Sequence, residues 1–96
     1  MPDQQQIQVK INDDVLKGVY ANSMQVVHTQ EEFMIDFMNL FPPQGMVNAR
    51  VILSPGHLKR MIAALQDNVK KYEQQYGEVT VAQQPAGENE IGFKAE

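Results

Sequence analysis

The chain has no cysteine and no tryptophan, and only two histidines among its 96 residues. Without cysteine, thiolate zinc sites, thiol nucleophiles and disulfide staples are all excluded. A secreted domain this small usually carries disulfides, so their absence points to the cytoplasm. His28 and His57 lie far apart in sequence, with no further ligand at His-x-x-x-His spacing. The sequence therefore predicts no metal site. None of the six glycines falls in a Gly-x-Gly-x-x-Gly run or in a phosphate-cradling loop, and no cofactor is expected. No apolar run approaches the ~18–20 residues of a membrane-spanning helix, so no membrane partner is expected. Met1 to Gln6 has neither the basic nor the apolar region of a secretory signal.

Catalytic residues are also lacking. Glu31, Glu32 and Asp36 are neighbouring carboxylates, but no apolar pocket is implied that would tune one of them for proton transfer. They read as a solvated turn and cap. Ser54 has no Gly-x-Ser-x-Gly context, and a capping role accounts for it. The protein is expected not to be an enzyme.

What is present is an ordinary globular composition, 43% hydrophobic and 21% charged, in a chain of single-domain length. A helix is predicted from about Ser54 to Tyr76. Ser54 can cap it, and Pro55 suits its first position. Leu58, Met61, Ile62, Leu65, Val69, Tyr72 and Tyr76 then form one apolar stripe, and Gly77 stands where a left-handed cap is wanted.

Three or four strands are predicted before that helix. Ile7, Val9 and Ile11 alternate with Gln8 and Lys10, and Asn12-Asp13-Asp14 and Lys17-Gly18 supply turn residues around Val15-Leu16. A second strand is predicted from Val19 to His28, and a further one from Met46 to Leu53. Phe33 to Phe41 fits both periods. Thr29 followed by Glu32 looks like a helix capping box, whereas the meander it would complete favours a strand, which is the preferred reading. Pro42-Pro43-Gln44-Gly45 forces a turn. The expected fold is thus α+β, an antiparallel sheet of three to four strands followed by one long amphipathic helix packed on one face. Residues 6–77 make the domain, and 1–5 and 78–96 are expected to be flexible termini.

A core of about this size rarely supplies more than ~3–5 kcal/mol unless something staples it, and oligomerisation is the natural staple here. The helix flank carrying His57, Ala64 and Asn68 is the candidate interface, because a small residue beside two hydrogen-bonding ones suits a close contact. A homo-oligomer, a dimer or a multiple of one, is expected, together with an unidentified protein partner. The methionines, Met24, Met34, Met38, Met46 and Met61 among them, read as core filler before adaptable binding surface.

The net charge of −4 conceals an asymmetry. Arg50, Lys59, Arg60, Lys70 and Lys71 are five of the eight basic residues, and Asp67 is the one acid between Arg50 and Lys71. This candidate basic surface supports a second functional reading, a nucleic-acid or transcription-machinery accessory. Single-strand binders interleave basic residues with exposed aromatic platforms. Tyr72 and Tyr76 fall on the stripe expected to be buried, so nucleic acid is the less favoured partner.

The segment from Ala49-Arg50-Val51-Ile52-Leu53-Ser54-Pro55-Gly56-His57-Leu58-Lys59-Arg60 through Ala64-Leu65, Asn68, Tyr72-Glu73 and Gly77 resembles a known family. Tyr20-Ala21-Asn22, Val26, Glu32-Phe33 and Asp36-Phe37 carry the same likeness. The family is the uncharacterised bacterial and archaeal domain-of-unknown-function family 3467. The likeness spans residues 20–77 and leaves the terminal segments outside it. It implies no activity, cofactor or catalytic residue. It does imply, through relatives encoded beside the large RNA polymerase subunits, the transcription-machinery alternative.

Overall fold

A computed structural model describes residues 6–83. Three antiparallel strands, β1 (Ser23–His28), β2 (Phe33–Phe41) and β3 (Gln44–Leu53), form one sheet in the order β1-β2-β3. A four-residue helix, α1 (Asp13–Leu16), precedes them, and a long helix, α2 (Pro55–Tyr76), follows. The α+β order of a sheet followed by a long helix is as the sequence predicts, and Phe33 to Phe41 is a strand, but α2, expected to pack on one face of the sheet, has no buried residue.

The two hairpins are built by the residues that marked them. Thr29 does not start a helix. Its N–H donates to the Glu32 carbonyl at 2.9 Å, and its Oγ1 accepts from the amides of Glu31 and Glu32. The capping-box pair therefore closes a turn, which the same side-chain-to-amide chemistry allows. Pro42 and Pro43, joined by a cis peptide, make the second turn between the paired residues Phe41 and Gln44.

Register follows from the pairing of Phe33 with His28 on one side and Leu53 on the other. Directly opposed residues share a face. One face thus carries Met24 and Val26, then Phe33, Ile35 and Phe37, then Ala49, Val51 and Leu53. The other carries Gln25 and Val27, then Met34, Asp36 and Met38, then Val47, Arg50 and Ile52. Phe37 pairs with Ala49 but Met38 with Val47, so Asn48 is the extra residue of a β-bulge. Its Nδ2 donates to the Tyr20 carbonyl and ties down the chain entering β1.

That entry differs from the sequence reading. The strand expected from Val19 to His28 begins only at Ser23; Asn22 donates its backbone N–H to the Met38 carbonyl at 3.0 Å, and beyond it the side chain takes over the pairing. Its Nδ2 donates to the Leu40 carbonyl at 3.1 Å, and its Oδ1 accepts from the Leu40 amide at 2.9 Å. Ile7, Val9 and Ile11, expected as a strand, lie outside the sheet, with Ile7 83% and Val9 87% exposed. Alternation makes a segment competent to pair, but an extended segment is stable only against a free edge. Asp13–Leu16 turns helical instead, with Asp13 and Asp14 in the first turn where the helix dipole favours acids.

The core is small. Ile35 and Met38, each 2% exposed, are the buried apolar side chains among the described residues. Both lie in the central strand, on opposite faces of the sheet. The radius of gyration is 17.0 Å, above the roughly 12–13 Å of a compact domain of this length. Of the expected termini, residues 78–83 have no regular structure, while 1–5 and 84–96 lie outside the described residues.

A candidate interaction surface

α2 begins and ends where its sequence places it. Ser54 Oγ accepts from the His57 amide at 3.2 Å, Pro55 occupies the first position, and the Leu58 amide donates to the Ser54 carbonyl. Gly77, at φ +102°, donates its N–H to the Glu73 carbonyl and ends the helix. Beyond it, Glu73 Oε2 accepts from the Val79 amide at 2.9 Å, so the chain folds back over the last turn.

Within one copy the stripe of α2 is half-buried only at Leu58 and Met61. From Ile62 onward it is open, from 43% exposure at Ile62 to 67% at Tyr76, and α2 has no fully buried side chain. Tyr72 and Tyr76 lean on each other with ring centroids 4.9 Å apart. The sheet is similar: Met24, Val26, Val51 and Ile52 are exposed around the buried Ile35 and Met38. Among the methionines, Met38 is core, Met34 and Met61 are half-buried, and Met24 and Met46 are exposed.

The candidate interface flank is also exposed, but its polar groups are turned onto α2 itself. Asn68 Nδ2 donates to the Ala64 carbonyl one turn earlier at 3.1 Å, which brings those two residues together. His57 Nδ1 lies 3.1 Å from the Arg60 guanidinium, two turns away from that pair. The sequence singled out the flank and passed over the stripe as interior. The larger exposed apolar surface is the stripe.

The five basic residues do not form one field. Arg50 is on β3 and forks onto Asp36 of β2, Nε to Oδ1 at 2.7 Å and an Nη to Oδ2 at 2.9 Å. Lys71 pairs with Asp67 at 3.1 Å, and Arg60 with His57. Lys59 and Lys70 are exposed; Lys70 lies on the side of α2 away from the tyrosines, and Lys59 directly follows Leu58 at the edge of the apolar stripe.

Asp36 corrects the sequence reading, in which it was a solvated turn residue. It is 5% exposed, on the central strand. The hydrogen bonds from Arg50, and then its charge, hold the Asp36 carboxyl below its ordinary value, against the opposing effect of burial. The same pair raises Arg50. A carboxylate filled by a bidentate guanidinium is a structural clamp, closed to proton transfer at neutral pH. The signal that would have found it is register, since Asp36 and Arg50 are direct partners across β2 and β3.

Among the described residues, no group of three His, Asp or Glu side chains is placed to hold a metal ion. No helix among them is long and apolar enough to cross a membrane. A family model described as "Protein of unknown function (DUF3467)" matches residues 1–81. The match reaches beyond residues 20–77 and takes in the N-terminal segment that the sequence resemblance had left out. No curated protein and no solved structure matches the chain.

Proposed function

The chain belongs to the DUF3467 family, and from the surfaces it leaves open we propose that it is a non-enzymatic, homo-oligomeric protein-interaction module of the cytoplasm. One observation carries the reading. A single copy buries Ile35 and Met38 and exposes the apolar stripe from Ile62 to Tyr76 together with apolar side chains on both sheet faces. Contiguous exposed apolar surface of this kind marks an association site. Self-association supplies the core that one copy lacks, and the remaining surface supplies contacts for another protein. Exposed Met24 and Met46 suit that role, since methionine adapts to irregular partners. The lack of cysteine supports the cytoplasmic assignment.

The nucleic-acid alternative gains exposed aromatics, because Tyr72 and Tyr76 are not interior. It loses the interleaving it needs. Lys70 and Lys71 lie on the side of α2 away from the tyrosines, Lys59 stands more than three turns before them, and three of the five basic groups are engaged with Asp36, Asp67 or His57. A strand-tracking groove would place its cations beside its stacking platforms.

The test is a tagged chain expressed at its native level, compared with Leu65→Glu. Self-association, and a co-purifying protein lost in the variant, are expected. A monomer that retains no protein would overturn the proposal.

A further inference from the structure

Six of the seven stripe residues of α2, all but Met61, keep a stricter spacing than burial against a sheet demands. Leu58, Ile62, Leu65, Val69, Tyr72 and Tyr76 succeed one another at intervals of four, three, four, three and four. That is the alternation of a two-helix seam, with Ile62, Val69 and Tyr76 at the first core position of the heptad and Leu58, Leu65 and Tyr72 at the second. Five of the six are exposed in one copy.

The residues beside the seam decide what occupies it. Lys59, Gln66 and Glu73 flank it on one side, and Met61, Asn68 and Gln75 on the other. Flanking charges set the partner and the direction of such pairs. When two copies run antiparallel, each flank faces itself, and a two-fold axis near position 67 places Lys59 of one copy opposite Glu73 of the other, twice. The same axis aligns every core layer: Leu58 with Tyr76, Ile62 with Tyr72, and Leu65 with Val69. Each tyrosine then meets an aliphatic side chain. A parallel pair would stack Tyr72 on Tyr72 and Tyr76 on Tyr76, with no opposite charges brought together. Self-complementarity of this kind is what a two-fold interface requires.

The local structure leaves the required groups in place. Glu73 Oε2 accepts from the Val79 amide, which anchors the side chain, while Oε1 takes no bond among the described residues. The Asp67–Lys71 pair lies on the outer side, away from the seam.

We propose that α2 pairs with α2 of a second copy as an antiparallel coiled coil, with Lys59 of each copy on Glu73 of the other. The proposal rests on the oligomeric reading above and gives it an occupant and a direction. Asn68 then meets its own counterpart near the axis, which gives the flank singled out in the sequence a place at the rim.

Charge exchange tests it. In sedimentation equilibrium, Lys59→Glu and Glu73→Lys should each weaken dimerisation about tenfold, since each turns two attractions into two repulsions. The double variant should return to within about threefold of the original. Helicity by circular dichroism should be unchanged in all three, because these positions are on the helix rim. A second measurement reads direction alone. The chain has no cysteine, so a single Gln74→Cys can carry a spin label. Antiparallel pairing separates the two labels by about 20 Å along the helix axis, and parallel pairing by none. A dimer whose double variant is no better than the singles, or whose labels show the short separation, overturns this pairing and leaves the oligomeric reading standing. A monomer overturns both.

Discussion

Arg50 and Asp36 face each other directly across β2 and β3 and are joined by two hydrogen bonds of 2.7 and 2.9 Å. Asp36 is buried while Arg50 is half exposed. The guanidinium thus lets a carboxylate sit beside the core residue Met38 without losing its charge.

The direction of the Asp36 shift fixes a pH dependence. A carboxyl whose folded pKa is depressed contributes stability that is fully present above its unfolded value of ~3.9 and is lost as pH falls through the lower, folded value. Asp36→Asn should lower the thermal midpoint at pH 7. It should also flatten the loss of stability below about pH 4. Thermal melts of both proteins across pH 2–7, with about one-unit steps, check this. Parallel curves would show that the pair contributes nothing specific.

Asn22 is expected to matter beyond its position at a strand entrance. Its side chain both donates to and accepts from the Leu40 backbone, so Asn22→Ala leaves an amide and a carbonyl without these partners. A loss of about 1–3 kcal/mol in chemical denaturation is expected. Asn22→Asp should recover only the acceptor half of the bond.

Much of this fold was legible in the sequence, for physical reasons. Period-two alternation in β2 and β3 and the stripe of α2 are local signals, and Ser54, Pro55 and Gly77 mark the helix ends by backbone chemistry alone. Other features depend on what lies opposite. Ile7, Val9 and Ile11 alternate correctly, but alternation only makes a segment competent to pair, and they do not join the three strands of the sheet. Asp36 looked solvated because its burial is set by its neighbours Gln25 and Arg50, a register that sequence does not state. The stripe was read as interior since periodicity shows that a face is apolar, and not which molecule covers it. The Thr29–Glu32 signature failed differently: one hydrogen-bonding pattern serves both a helix start and a hairpin turn.

The cap of α2 offers a control on local stability. Ser54 Oγ accepts from the His57 amide, and Ser54→Ala should cost about 1 kcal/mol. Because α2 gains its partner only on association in this account, the loss should also show as a weaker dimer. A variant with unchanged melting and unchanged mass would separate the helix from the interface.

Nucleic-acid binding is expected to be weak. In fluorescence anisotropy at ~0.15 M salt, single- and double-stranded oligonucleotides should show no submicromolar affinity, and any binding at low salt should fall steeply as salt rises. Submicromolar binding abolished by Arg60→Glu and Lys71→Glu would promote the nucleic-acid alternative instead.

The central claim is that one copy of this chain is structurally incomplete and that the α2 stripe is covered by association with another. Sedimentation equilibrium at micromolar concentration tests it most directly. The account predicts a species of at least twice the chain's 10.9 kDa, shifted toward monomer by Leu65→Glu. A clean single-chain mass across that range, with a cooperative melt, would contradict it.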